Sequence, residues 1–433
     1  MQLQKTFILL LLLFILIFLP EWGVADDLKL ISSAAVKEEY NDNIFFDDSN
    51  EEEDFVTTFS PGLRLTSRTE RFSTRLSARF DGIIYSDNSK LNAIDQDYKA
   101  DMDYQITDKT DVTADAGYKK DSRNDRDIEV VDGGSATGLV QEDSTRIRRT
   151  CGFSSNTMLN EITALSSSYS FTRDDFEDRE ENDIRMHIIN MGFSRNLNFI
   201  DEITVGRLNL GYAKYDYLDS ETIRPVLLYS FIPGRQYYSD GTDIDSYSAT
   251  IGVSRNISEA FSILADFGGR YTKSKYRTRQ LIKVGDIVWS DSGNIKDRNS
   301  GSGFIAQITA AYTGELTDSS LNFYHDVRSS SGRSGATERT SMEFELSRRL
   351  TYELRGSLFV KYYLNKADDG EFSSKGIDEK TFSIRPAVRY DFTKALFVEA
   401  AYYFISVKDD EDNTDKKRNQ FFIKVSMDYP LFE

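Results

Sequence analysis

The side chains most often used in catalysis and metal binding are scarce in this 433-residue sequence. It contains two histidines, His187 and His325, and one cysteine, Cys151. A hydrolase needs a histidine with a positioned nucleophile, and a structural zinc site needs several thiolate or imidazole ligands. His187 lies beside Ile189 and Met191, and His325 shares the lipid face of a predicted strand near a loop. We therefore interpret both histidines as structural, Cys151 as inert packing, and the protein as a non-enzyme without a cofactor or a metal.

Acidic side chains are concentrated in three blocks that we place in extracellular loops. The blocks are Asp47-Asp48 with Glu51 to Asp54, then Asp174-Asp175 with Glu177-Asp178 and Glu180-Glu181, and finally Asp409 to Asp412. Their oxygens could bind divalent cations that bridge to surface lipopolysaccharide. None matches a spaced calcium-binding loop, and like-charged blocks are commonly solvated loops, so both interpretations stay open.

Basic side chains recur on single faces of predicted strands. The set comprises Arg71, Arg75 and Arg79 on the third strand, Arg355 and Lys361 on the fifteenth, and Arg385 and Arg389 on the sixteenth. Charged rings set the selectivity of pores, so these residues could form a cationic ladder that guides an anionic solute or polysaccharide. Alternatively they pair with carboxylates and stiffen the wall. Candidate partners are Asp81, Asp101, Asp103, Glu343, Glu345 and Asp391.

The elements that carry these residues show a sequence period of two. Apolar and polar side chains alternate through 72–84, 98–106, 382–392 and 421–429, which predicts strands rather than helices. These strands run to about 10–14 residues, the length that crosses a bilayer at a tilt. Aromatic residues at both ends of the apolar face, as in Tyr98 and Tyr104, are typical of interfacial girdles.

The connections alternate between short and long. The predicted turns are 67–70, 107–111, 156–160, 195–201, 256–259, 314–319, 348–350 and 393–394. The predicted loops are 41–54, 86–96, 121–142, 173–182, 218–243, 274–302, 329–338, 366–379 and 408–418. Nine loops and eight turns separate 18 strands, an even number that suits a barrel with both termini in the periplasm.

Two features complicate this count. Pro61 and Pro386 fall inside predicted strands, where each removes a ladder hydrogen bond and marks a bulge or a strand end. The segment 274–302 contains two short apolar runs that predict an extra hairpin, either above the membrane or as part of a 20-strand wall.

The N-terminus has the pattern of an export signal. Lys5 precedes the apolar run Phe7 to Leu19, Pro20 ends it, and small residues lead to a predicted cleavage after Ala25. A membrane anchor is the alternative, but a span needs about 20 apolar residues, more than this run provides. We assign residues 1–25 to the signal peptide and 26–433 to one domain.

Composition agrees with an exported barrel. The net charge of −18 argues against a nucleic-acid partner. The mean hydropathy of −0.47 is compatible with one lipid-facing and one water-facing side on each strand. We predict an all-β, antiparallel, up-and-down transmembrane barrel of about 18 strands, with 16 to 20 as the range. A secreted sandwich or β-helix is the alternative, but its strands should be shorter.

Two segments resemble a known family. The opening Glu39-Tyr40-Asn41-Asp42-Asn43-Ile44 and the later Phe59-Ser60-Pro61-Gly62 resemble the Putative beta-barrel porin 2 family of bacterial outer-membrane proteins. The C-terminal Tyr429-Pro430-Leu431-Phe432 is similar to the signal read by the barrel-assembly machinery, although Glu433 follows it. The resemblance implies exopolysaccharide secretion, with periplasmic polysaccharide-export proteins and polysaccharide as partners.

The leading hypothesis is therefore an outer-membrane channel that takes part in exopolysaccharide export. A general diffusion porin is one alternative, with 121–142 or 218–243 as an inward-folded constriction loop. A plugged barrel with a structural or adhesive role at the surface is another.

Overall fold

A computed structural model describes most of the chain. The described residues are 27–123, 145–177, 183–228, 232–284, 287–291, 295–329, 336–367, 376–411 and 413–432. The predicted signal peptide and its cleavage after Ala25 lie outside them. Among these residues, no helix has the length and apolar character needed to span a membrane.

Strands account for nearly all of the described regular structure. They are β1 Asp27–Asn41, β2 Asp54–Arg68, β3 Phe72–Tyr85, β4 Ala93–Thr107, β5 Thr110–Asp121, β6 Arg146–Asn160, β7 Thr163–Phe176, β8 Ile184–Asn196, β9 Thr204–Leu228, β10 Ile232–Asn256, β11 Phe261–Val284, β12 Ile287–Asp291, β13 Ile295–Thr313, β14 Thr317–Ser329, β15 Ala336–Arg349, β16 Leu354–Ala367, β17 Ile377–Asp391, β18 Leu396–Asp409 and β19 Thr414–Phe432. One 3-10 turn, Ser89–Leu91, joins β3 to β4.

The strands form a closed antiparallel barrel. Consecutive wall strands pair, and β1 pairs with both β2 and β19, so the 19-stranded sheet has no free side. Among the described residues, the five-residue β12 has its register with the tip of β11, as an extra hairpin outside the wall. The other 18 strands form the wall, which confirms the predicted fold and strand number. Closure pairs the backbone groups that a bilayer cannot solvate.

Side chains alternate between an inward and an outward face along every wall strand. On β11, the outward Phe267 and Tyr271 are 51% and 45% exposed, whereas the inward Thr272 and Ser274 are 0% and 2% exposed. Outward Phe, Ile, Leu and Tyr side chains recur around the wall at the same levels. They form the band that faces lipid, as the period of two predicted.

Both prolines lie inside strands, and each coincides with a gap in one ladder. Between β2 and β3, pairing stops at Phe59 and resumes at Gly62, on either side of Pro61. Between β17 and β18, it stops at Ile384 and resumes at Ala387, around Pro386. Proline has no N–H to donate, so the gap falls where the ladder would need one.

Two predicted loops prove to be strands. The ladder between β9 and β10 continues to Leu228 and Ile232, so 218–243 is a tall hairpin and not an inward-folded loop. β11 and β13 likewise extend through much of 274–302, with β12 as the predicted extra hairpin. These strands project past the bilayer. No lipid contacts them there, so they need to pair with each other but do not need an apolar outward face. The other proposed constriction segment, 121–142, lies largely outside the described residues.

The wall forks between β13 and β14. Their ladder has eight residue pairs and ends at Ala306 and His325, although β13 continues to Ile295 and β14 to Ser329. This is the shortest ladder of the wall within the described residues. Above it, β9 to β13 rise as a separate projecting sheet.

Candidate functional site

The inward face of the barrel differs between its two ends. On β17, Glu379, Thr381 and Ser383 near the long-loop end are at most 2% exposed. Closer to the short-turn end, the side chain of Arg389 is 37% exposed. β15, β16 and β18 show the same gradient. Because short turns lie in the periplasm, the accessible half of the lumen faces the periplasm.

An apolar cluster occupies part of the extracellular half. Ile184, Tyr217 and Ile244, from β8, β9 and β10, are 0% exposed. They belong to one core with Val327, Ala336, Ala367 and Ile377, from β14 to β17. These two groups come from different parts of the wall, so their contact narrows the lumen at this level.

The first loop, 42–53, also fills the extracellular half. Phe46 is 1% exposed and packs with Tyr403, Ile405 and Val407 of β18. The Arg418 guanidinium lies 4.9 Å from the centroid of the Phe46 ring. The Asn43 amide donates to the Lys417 carbonyl oxygen at 2.9 Å, which ties the loop to β19. The predicted acidic loop is therefore partly inside the barrel.

A charged contact crosses between distant strands nearby. Arg123, just after β5, donates to Glu39 of β1 at 3.0 Å, and Glu39 is only 2% exposed. The Gln420 amide on β19 also donates to Glu39, at 3.2 Å. Burial of a carboxylate is costly unless it is paired, and these donors provide that pairing.

The three acidic blocks have different environments. In the first, Asp54 begins β2 and accepts backbone N–H groups from residues 86–88. The second begins inside β7 rather than in a loop, because β7 pairs with β6 up to Phe176, and buried Asp174 accepts from Arg148 at 2.6 and 2.7 Å. In the third, Asp410 pairs with Lys380 and Lys408.

Of the remaining block residues, Asp175 and Asp409 are half-buried, and the others are exposed or lie outside the described part of the chain. Asp178, Glu180, Glu181 and Asp412 are outside it. Within the described residues, no three His, Cys, Asp or Glu side chains converge as a metal site would require.

The β3 basic residues divide between the lumen and a turn. Arg75 and Arg79 lie on the inward face, opposite Asp101 and Asp97 of β4. The guanidinium of Arg79 is 3.3 Å from Asp81 and 3.8 Å from Asp97. Arg71 precedes β3 in the periplasmic turn and pairs with Asp108 at 3.6 Å, so it is not part of the strand face.

The β16 and β17 basic residues all face inward. Lys361 is 8% exposed and lies opposite Glu343 and Ser383. Arg355 lies opposite Arg389, nearer the periplasm. Arg389 pairs with Asp391 at 2.7 Å, as the wall-stiffening interpretation requires.

Aromatic rings accompany these cations. The guanidinium carbons of Arg385 and Arg389 lie 4.6 and 3.5 Å from the ring centroids of Phe359 and Phe397. Lys37 of β1 lies 5.5 Å from the centroid of Phe422. We call this set, Lys37, Phe359, Arg385, Arg389, Phe397 and Phe422, the aromatic–cationic sector. It spans β16 to β19 and β1, and it offers flat apolar surfaces next to positive charge.

The aromatic members of this sector escaped the sequence analysis. Phe359, Phe397 and Phe422 occupy the water-facing positions of their strands, where polar residues are expected. The signal was present as runs of three apolar residues that break the alternation: 358–360, 396–398 and 421–423.

Both histidines lie on the outward face. His187 Nδ1 is 3.0 Å from the Tyr169 hydroxyl at the aromatic girdle. His325 is buried, contrary to a purely lipid-exposed position, because it lies at the fork: its ring stacks on Phe304 at 3.9 Å and Nδ1 is 2.8 Å from Thr340 Oγ1. Cys151 is exposed on the outward face.

Comparison with known families gives two matches. Residues 29–183 match the model described as Putative beta-barrel porin 2, which confirms the resemblance seen in the sequence. Residues 291–418 match the model described as Putative MetA-pathway of phenol degradation. None of the curated proteins matches this chain.

Solved structures give distant similarities. The siderophore receptor PiuA from Acinetobacter baumannii is 8% identical, with 94% of this chain and 82% of that chain covered and a TM-score of 0.48. OccK2 (OpdF) from Pseudomonas aeruginosa is 11% identical, with 95% and 100% covered and a TM-score of 0.42. The outer membrane protein OpdK from the same organism is 11% identical, with 92% and 99% covered and a TM-score of 0.40.

The closed barrel, its lipid-facing band and the porin-family match describe one kind of molecule. The chain is an outer-membrane β-barrel, and its residues 29–183 are similar to the Putative beta-barrel porin 2 family.

Proposed function

We propose that this barrel is a gated channel that takes part in exporting a polysaccharide from the periplasm across the outer membrane. The observation that carries the proposal is the difference in solvent accessibility between the two ends of the lumen. Its inward face is accessible at the periplasmic end and buried at the extracellular end. A substrate coming from the periplasm would therefore enter a vestibule before it meets a closure.

The aromatic–cationic sector supports a sugar polymer as the substrate. Sugar rings present flat C–H faces that stack on aromatic rings, and carboxylated sugars would also pair with guanidinium groups. Phe359 and Phe397 offer such surfaces beside Arg385 and Arg389. Acidic and hydroxyl side chains on the inward face of other strands, such as Asp101 of β4 and Ser154 of β6, would keep the rest of the lumen hydrated.

The closure would have to open for transport. Loop 42–53 is held by non-covalent contacts: buried Ile44 and Phe46, the Arg418–Phe46 contact, and hydrogen bonds with β19 that Asn43 donates and Asp42 accepts. Such a loop can leave the lumen without unpairing the wall.

A general diffusion porin is the second candidate. An inward-folded loop that constricts the lumen would suit it, and 42–53 occupies that place, although a different segment was expected there.

Conductance across a planar bilayer distinguishes these functions. Refolded residues 26–433 would be inserted, and alginate or neutral dextran would be added to one side at a time. Export predicts block by alginate from the periplasmic side, and a larger conductance for Phe46→Ser than for the control Phe199→Ser in a periplasmic turn. Open conductance that neither polymer blocks would instead identify a diffusion porin. A silent barrel that Phe46→Ser leaves silent would contradict both channels and favour a structural or adhesive surface role.

A further inference from the structure

Three arginines form a row on the outside of the barrel. Arg149, Arg173 and Arg185 lie directly opposite one another on β6, β7 and β8. They share the outward face with Phe153, Tyr169 and Ile189, which are 51%, 38% and 44% exposed. We call these three residues the arginine row.

The row lies at the extracellular edge of the lipid-facing band. Phe171 and His187 occupy the next outward positions toward the membrane, and the His187 ring bonds to Tyr169 of the girdle. Asp175 is the next outward residue of β7 beyond Arg173, at the start of the extracellular connection. The guanidinium groups are therefore at the level of lipid headgroups.

Charge in the row is only partly compensated. Asp175 pairs with Arg149 and, at 2.6 Å, with Arg173. Arg185 makes no ion pair within 4 Å among the described residues: Asp216 opposite it pairs with Lys214 at 3.3 Å, and the Asp183 carboxylate acts on Arg173 and Arg185 only from beyond ion-pair distance. Like charges directly opposite on neighbouring strands destabilise a sheet, so a second anion here would stabilise it.

We propose that the arginine row binds the phosphate group of a lipid in the surrounding outer leaflet. Guanidinium groups bind phosphate oxygens through paired N–H donors, and neighbouring strands space them by about 4.8 Å, within reach of one headgroup. The lipid chains would then lie against Phe153 and Ile189. The proposal is independent of what passes through the lumen.

Native mass spectrometry of the refolded barrel tests this site. The protein would be exchanged from detergent containing equal phosphatidic acid and phosphatidylcholine with identical acyl chains. We expect about tenfold preferential retention of phosphatidic acid, and loss of that preference in R149Q/R173Q/R185Q. The single change R185Q breaks no ion pair within the described residues and should lower retention without impairing folding.

The matched control is K273Q/K275Q/R298Q. These three cations are also outward and exposed on the extracellular side, but Asp243 and Asp245 lie opposite the two lysines. The control should keep the preference. Equal retention of both lipids by the unmodified barrel, an equal loss in the control, or full displacement by inorganic phosphate would each overturn the proposal of a lipid site.

Discussion

At the level of single residues, the contacts of the lumen arginines bear on both interpretations that the sequence left open. Arg79 and Arg389 pair with neighbouring carboxylates, which stiffens the wall. Arg389 and Arg385 also lie on aromatic rings, and Arg389 keeps 37% of its side chain exposed. A cation of this kind can serve both purposes, since an exposed guanidinium retains donors for a passing anion.

Arg389 should influence ion selectivity. Changing Arg389 to Gln removes a positive charge from the accessible half of the lumen, so we expect the anion-to-cation permeability ratio to fall by roughly twofold. The reversal potential across a salt gradient measures this ratio in a variant with measurable conductance, such as one carrying Phe46→Ser. Arg348→Gln, on the outward face near a periplasmic turn, is the control and should leave the potential unchanged.

The phenylalanines should affect polymer binding more than ion flow. Phe359→Ala with Phe397→Ala removes two stacking surfaces while leaving the charges in place. We expect the alginate concentration needed for half block to rise by roughly thirtyfold, since two stacked rings at about 1 kcal/mol each contribute about 2 kcal/mol. Unchanged block with both rings absent would remove the sector from the transport path.

Asp410 gives a dependence on pH outside the membrane. Hydrogen bonds from Lys380 and then Lys408 lower the pKa of Asp410 to about 2. A lowered carboxyl pKa stabilises the folded state above the unfolded value near 3.9, and this stabilisation is lost as pH falls through that value toward 2. Asp410→Asn should lower the guanidinium unfolding midpoint slightly at pH 7 and not at pH 2. A midpoint difference that persists at pH 2 would contradict this account.

At the level of elements, loop 42–53 and the two prolines depart from regular barrel geometry. The loop enters the lumen because Phe46, an apolar residue in a polar segment, finds Tyr403, Ile405 and Val407 on the inward face of β18. Those three residues are themselves apolar at inward positions. The apolar patch inside the barrel is therefore covered by the apolar residue of the loop, and both are removed from water by this contact.

Pro386 offers a test of the interrupted ladder. Replacing Pro386 with Thr supplies the missing N–H in the gap between Ile384 and Ala387. If β18 can accept it, we expect stabilisation of about 1 kcal/mol, the usual net value of one hydrogen bond. Urea unfolding in lipid vesicles measures this, with Ser383→Thr on the same strand as the control. A loss of stability would indicate that the local distortion is fixed by the surrounding side chains.

The sequence predicted the outward half of every strand better than the inward half. Lipid accepts only apolar side chains, so Phe72 to Ile84 could be read directly as a wall strand. The lumen accepts both apolar and polar side chains. An inward residue such as Phe397 or Ile405 packs against a partner that is distant in the sequence, so the local pattern does not reveal the contact. The extent of β9 and β10 was missed for a related reason: beyond the bilayer a strand needs only a neighbour, and alternation no longer marks it.

At the level of the whole molecule, the fork between β13 and β14 divides the wall into two bodies above the membrane. Arg270 of β11 crosses this fork, because Gly303 leaves space for its guanidinium, and donates to Glu338 of β15 at 2.5 Å. Glu338 also lies 3.0 Å from His325 Nε2. Together with the apolar core that Val327 shares with Tyr217 and Ile244, this contact joins the two bodies where the ladder has ended.

Hydrogen exchange should locate this boundary. We expect amides in 326–329, beyond the last β13–β14 pair, to exchange faster than amides of the same strand within 318–325. Arg270→Gln should widen the difference, because it removes the charged contact across the fork, whereas Arg207→Gln on β9 should not. Uniform exchange along β14 would show that the fork is closed by other contacts.

The projecting sheet has a consequence for what the cell presents to its surroundings. A strand of 25 residues such as β9 measures about 80 Å, and at the usual tilt more than half of its height lies above the apolar band. Antibodies, bacteriophages and neighbouring cells would reach the hairpin of β9 and β10 well before the bilayer. Sequence change under immune or phage pressure should therefore concentrate at this hairpin and spare the vestibule on the opposite side of the membrane.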